Sequence, residues 1–238
     1  MSNDADQEMF QLLSEWVKPH ELDNQSDNYH RNALWDRILT VFDSGYATEF
    51  GVLQTLSSLF QNADRPGKLS LIITMDDLVY ISTSRGGYGY PELFWLVLES
   101  NLLFEYTDIS DVGSRIAGFL CRTGGIQATR TYLIHILLSD DKTKHTNAFL
   151  AFYATGHSLQ SLRITMEVAP EPTDSNTQLY VFIYSDAWAF LARNNDVKLS
   201  AEDKADLTAF FNRGLALTNS FAIDYCQKAL EILGKTSE

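Results

Sequence analysis

Cys121 and His157 are the two residues whose types and order could carry covalent chemistry. A cysteine on a helix, a histidine further along and a carboxylate beyond it, here Asp174 or Asp186, is the chain order of several cysteine hydrolases. In such a site the imidazole takes the thiol proton, the carboxylate orients the imidazole, and the thiolate attacks a carbonyl carbon. Cys121, His157 and Asp186 therefore form one catalytic reading of the chain. Against it, Cys121 falls near the end of its predicted helix rather than at the start, so the helix dipole would not help a thiolate, and the flanking signatures of such enzymes are missing. A structural thiol is the simpler assignment.

The segment Ser84 to Tyr90 is the best candidate for a binding surface. Its three glycines would let backbone amides face an anion, Arg85 would neutralise it, and a helix is expected to begin at Pro91. The lysine-bearing phosphate-loop spacing and the dinucleotide fingerprint are both missing. Exposed tyrosines are also what protein interfaces favour, so Arg85, Tyr88 and Tyr90 are read as partner-binding residues. The five histidines show no pairing at three or four residues and no Cys-x-x-Cys occurs, so neither a metal nor a cofactor is expected. A serine hydrolase would need the Gly-x-Ser-x-Gly elbow, which is also missing.

Charge narrows the partners. The 238 residues carry 31 acids and 18 bases, a formal charge of −13. Residues 1 to 60 hold ten acids and three bases, whereas residues 121 to 180 balance at five of each. Such a chain repels phosphate backbones, so direct nucleic-acid binding is not expected, and a basic protein is the partner the charge suits. No run reaches the ~18 apolar residues of a membrane helix. The acidic first ten residues read as neither a secretory nor a mitochondrial address, and the two cysteines read as free thiols, so a cytoplasmic protein is expected.

The elements that would position these residues fall into three segments. Residues 1 to 67 read as a helical block, with apolar stripes on Met9, Leu13 and Trp16, then Leu34, Ile38 and Val41, then Phe50, Leu53, Leu56 and Phe60. Residues 68 to 125 read as a short helix after Thr74, the glycine turn, a helix from Pro91 to Asn101, an extended run Leu102 to Tyr106, and a helix ending at Gly124 and Gly125. This order resembles the skeleton of a winged helix-turn-helix. Its second helix would expose Glu92, Glu99 and Ser100 and no base, which suits protein contact rather than DNA. In residues 126 to 238, Tyr132 to Leu138, Ala148 to Ala154, Leu162 to Val168 and Leu179 to Tyr184 read as four strands of an antiparallel meander. One long helix from the Ser200 and Asp203 capping box to Ile232 would cover it, with Gly214 as a bend or a point of close approach. The expected class is thus α+β, with an antiparallel sheet and a long C-terminal helix.

The function these features suit best is a non-catalytic, regulatory interaction protein, such as an adaptor, inhibitor or immunity-type protein. It would bind through the acidic helical face or the tyrosine loop. The alternatives are the cysteine hydrolase on Cys121 and His157, and a small-molecule sensor with its pocket between the sheet and the C-terminal helix.

Overall fold

Every regular element among the described residues is helical. The structure is a computed structural model and describes residues 4–17, 25–44, 47–105, 110–156, 158–194 and 198–235. The chain divides into two compact units, Met1–Leu102 and Leu103–Glu238.

In the first unit, α1 (Asp4–Trp16) packs on α2 (Gln25–Asp43) and α3 (Glu49–Asn62), and α3 packs on α4 (Arg65–Ser84) and α5 (Glu92–Glu99). Met9, Leu13, Ile38, Leu56, Phe60, Met75 and Leu78 form its core, each almost wholly removed from water. A buried side chain of this size contributes about 1.5–3 kcal/mol. Trp16 adds a polar tie between helices, its indole Nε1 donating to Thr74 Oγ1 at 2.7 Å.

The helical block is expected to end at residue 67; instead Arg65, Pro66 and Gly67 open α4. The Asp64 carboxylate accepts from the Gly67 backbone N–H at 2.9 Å, and proline is tolerated in a first turn because its missing N–H would lack a helical partner anyway. The helix then runs 20 residues through Thr74 without a new start. Helix α5 ends where expected, with Asn101 in the left-handed region at φ 56°. The extended run expected after it is a short helix, α6 (Leu102–Glu105), so the strand that a winged shape requires is not formed there. Tyr106 lies outside the described residues.

The second unit holds α7 (Ser110–Gly124), α8 (Ile126–Leu138), α9 (His145–Ala154), α10 (Leu159–Val168), α11 (Thr177–Arg193), α12 (Ala201–Gly214) and α13 (Ser220–Lys235). The α+β class and the antiparallel sheet are therefore corrected: all four expected strands lie inside helices α8, α9, α10 and α11. A short apolar run cannot be assigned by periodicity alone. On α8 the buried positions are Thr129, Arg130, Leu133, Ile134 and Leu137, a helical stripe disguised by an arginine and a threonine. On α10 they are Ser161, Leu162, Ile164 and Thr165, so the apparent alternation of Leu162, Ile164 and Met166 was incidental.

The long C-terminal helix is also corrected, to two helices broken between Gly214 and Ser220 and packed on each other, with α13 packed against α11. Gly214 permits this approach. A Cβ there would lie 2.3 Å from Cys226 Sγ and 2.6 Å from the Tyr184 ring. The Ser200 and Asp203 capping box forms as expected, each side chain accepting from the other's backbone N–H.

Candidate functional site

The tyrosine loop is built by its own hydrogen bonds. Gly86 and Gly87 donate their amides to Thr83 O and Ser82 O at 3.0 and 2.9 Å, and Ser82 Oγ donates to Tyr88 O at 2.8 Å. Tyr90 sits in the left-handed region at φ 49°, which costs a non-glycine residue about 1–2 kcal/mol. Burial of its ring offsets that cost, since only 2% of the residue is exposed. The Tyr88 and Tyr90 rings meet edge to face at 5.0 Å.

The charged groups of the loop are engaged. Arg85 pairs with Asp43 at the end of α2, through Nη1 to Oδ1 and through Nη2 to Oδ2 at 3.4 Å. The Tyr88 hydroxyl donates to Glu92 Oε1. That hydrogen bond, with lesser repulsion from Glu92 and Glu49, pushes the Tyr88 phenol up from its ordinary value. Burial, seconded by Glu49, pushes Tyr90 up to about 12. Glu49 at the start of α3 thus bears electrostatically on both tyrosines.

Helix α3 is fixed there by a relay from α1. Asp6 Oδ1 accepts from the Thr48 backbone N–H at 2.7 Å, and Thr48 Oγ1 accepts from Gly51 N–H at 2.9 Å. The result is an open groove of about 640 Å³ lined by Asp43, Glu49, Phe50, Arg85 and Tyr90 among others. Phe50 is 71% exposed. Its spacing places it on the α3 core stripe; the buried stripe is instead Val52, Leu56 and Phe60, with Phe50 off its edge.

The second cluster centres on Arg130, which the sequence reading missed. It projects from α8 and is wholly buried. Its Nη2 donates to Asp186 Oδ2 on α11 at 2.9 Å and to Thr165 Oγ1 on α10 at 2.7 Å. Its Nη1 donates to Phe152 O and Thr155 Oγ1, and its plane lies 3.8 Å from the Phe152 ring centre. Burial lowers the guanidinium pKa and Asp186 pulls it back up. Gly156 lets the chain pass directly over the carboxylate, because a Cβ there would fall 2.0 Å from Asp186 Oδ1.

The hydrolase residues stand in this setting. Asp186 is buried and holds Arg130. Cys121, in the last turns of α7, is half-buried, and burial pushes its thiol up while the Thr129 hydroxyl, Arg130 and Arg122 pull less strongly the other way. Arg130 therefore acts electrostatically on both Cys121 and Asp186. His157 lies outside the described residues. No group of three metal-ligating side chains occurs among the described residues. The sensor reading loses the sheet that was to wall its pocket. Where α11, α12 and α13 meet, Tyr184 packs against Phe210 and Phe211, and Trp188 against Tyr225.

No family model matches the chain, and no curated protein matches it. Among solved structures, the crystal structure of an engineered protein from the Northeast Structural Genomics Consortium aligns at 12% identity. The alignment covers 97% of this chain and 90% of that one, with a TM-score of 0.34. The described chain is helical, and no helix among the described residues is long and apolar enough to cross a membrane.

Proposed function

We propose that this chain is a non-catalytic cytosolic interaction protein, of the adaptor, inhibitor or immunity type, that binds another protein through its first unit. One observation carries the reading: the acidic helix ends and the tyrosine loop line a single groove, with Asp43, Glu49, Phe50, Arg85 and Tyr90 around it. Of these residues, Phe50, Arg85 and Tyr90 are of the types that protein interfaces enrich, and Asp43 and Glu49 add the charge that would select the partner. The first unit carries fifteen acids and six bases, a net of −9, so long-range attraction favours a basic partner. Cys121 and Cys226 are not joined in a disulfide, in keeping with a reducing compartment. The hydrolase reading has less to support it: Asp186, its orienting carboxylate, is held by Arg130, and burial pushes the Cys121 thiol up.

The test is photo-crosslinking in extract of the source cells, with a photoreactive phenylalanine analogue at Phe50 and, as control, at exposed Glu202. A specific crosslinked protein is expected from Phe50 alone, with a yield that falls as salt rises from about 20 to 500 mM. Identical crosslinking patterns from the two positions would overturn the reading.

A further inference from the structure

Phe50 walls two grooves at once. On its other side, an open groove of about 540 Å³ runs between α1 and α3, lined by Asp6, Gln7, Phe10, Phe50, Gln54 and Ser58 among others. Phe10 is 43% exposed and Phe50 71%. Two aromatic faces turned to water lose the burial free energy of rings this size, unless a partner covers them.

The carboxylates nearby differ in what they already hold. Asp6 accepts from the Thr48 amide, Asp43 pairs with Arg85, and Glu92 accepts from the Tyr88 hydroxyl. Glu49 is exposed, and among the described residues it accepts no hydrogen bond and forms no ion pair. The residue next to Phe50, the most exposed large hydrophobic side chain among the described residues, therefore carries a carboxylate with no ion-pair partner among those residues, in a unit of net charge −9.

We propose that this double groove receives an arginine-bearing, extended segment of the partner protein, its guanidinium laid on the Phe50 ring with Glu49 as counter-charge. The inference rests on the interaction reading above and specifies its partner. A planar guanidinium satisfies both features together: it stacks on an aromatic face and still presents N–H donors to a carboxylate, which the compact ammonium of lysine does less well. The side-chain amides of Gln7 and Gln54 flank the α1–α3 groove and can pair with the backbone of an extended segment. The chain uses the same contact in its own interior, where the Arg130 guanidinium lies 3.8 Å from the Phe152 ring centre and its Nη2 donates to Asp186.

The test uses fluorescein-labelled glycine- and serine-rich peptides of equal length that differ only in carrying arginine, lysine or citrulline, titrated with the full chain and read by fluorescence anisotropy. The arginine peptide is expected to bind about tenfold more tightly than the lysine peptide, and more tightly again than the neutral, isosteric citrulline peptide. Phe50→Ala is expected to remove the preference for arginine over lysine, Phe50→Trp to keep or strengthen it, and Glu49→Gln to narrow the gap between arginine and citrulline. Because Phe50 and Glu49 are exposed, thermal melting of each variant should stay close to the parent chain, with a small drop for Glu49→Gln because that carboxylate lies in the first turn of α3. Equal binding of arginine and lysine peptides, or an arginine preference that survives Phe50→Ala, would overturn the inference. So would a concentration-dependent dimer dissolved by Phe50→Ala, which would assign the face to a second copy. If the photoprobe at Phe50 captures a partner while the peptides do not discriminate, this inference fails alone; if neither responds, both fail.

Discussion

Arg130 shows how one side chain can set the arrangement of four helices. Its donors reach the end of α9, the middle of α10 and the middle of α11, so removing the Asp186 carboxylate leaves the guanidinium without its counter-charge in a dry interior, and removing Arg130 takes the guanidinium away from a buried carboxylate. Arg130→Met or Asp186→Asn should each cost about 3–5 kcal/mol in urea unfolding, whereas the double change Arg130→Met with Asp186→Leu should recover most of that loss. The recovery is expected because the remaining partners have alternatives: Thr165 Oγ1 also donates to Ser161 O at 2.9 Å, and Thr155 Oγ1 to Phe152 O at 2.9 Å. A double variant no more stable than the singles would show instead that the guanidinium is needed for more than charge balance. Sequence pattern hid this residue. An arginine three and four places before Leu133 and Ile134 lies on their helical face, but only once the segment is recognised as a helix. The tyrosine loop, by contrast, was legible from its glycines and from Pro91; what escaped was its contact with Asp43, which lies 42 positions earlier in the chain.

At the scale of elements, the signals that survived are chemical and those that failed are periodic. The Ser200 capping box, the stop at Gly124 and Gly125 and the turn at Asn101 each rest on a local hydrogen bond or backbone preference, and each is found where the residues place it. The expected strands rest on runs of six or seven residues, too short to separate a period of 2 from 3.6 when buried threonine, serine and arginine interrupt the apolar face. The cap itself supports a prediction. Asp203 is held below the usual carboxylate range, first by the hydrogen bond from Ser200 and then by that from Arg163, whose Nε and Nη2 lie 2.8 and 2.5 Å from Oδ1. A carboxyl whose folded pKa is depressed stabilises the fold above its unfolded value of about 3.9, and that contribution disappears as the pH falls through the folded value. Asp203→Asn should therefore lower the melting temperature at pH 7, and the gap from the parent chain should close on acidification below about pH 4. A gap that stays constant with pH would mean that the carboxylate charge contributes nothing at that helix start.

At the scale of the whole molecule, charge and fold divide together. The unit Met1–Leu102 has a net charge of −9, and Leu103–Glu238, with sixteen acids and twelve bases, has −4. Like charges on a compact unit repel one another, and salt screens that repulsion, with a Debye length that shortens from about 20 Å to about 7 Å between 20 and 200 mM. The four tryptophans permit each unit to be followed separately, since Trp16, Trp35 and Trp95 lie in the first and Trp188 in the second. A Trp188→Phe variant reports the first unit, and the triple variant Trp16→Phe, Trp35→Phe and Trp95→Phe reports the second. Trp188 packs on Tyr225 at 5.5 Å, with the Lys228 ammonium 5.6 Å from its ring centre, so its emission should change when α11 and α13 separate. Raising the salt over that range should stabilise the first unit by about 0.5–1 kcal/mol more than the second, measured as the difference in urea midpoints multiplied by each transition's slope. Equal shifts would mean that the acids of the first unit stand far enough apart to ignore one another, and would remove the electrostatic basis for preferring a basic partner.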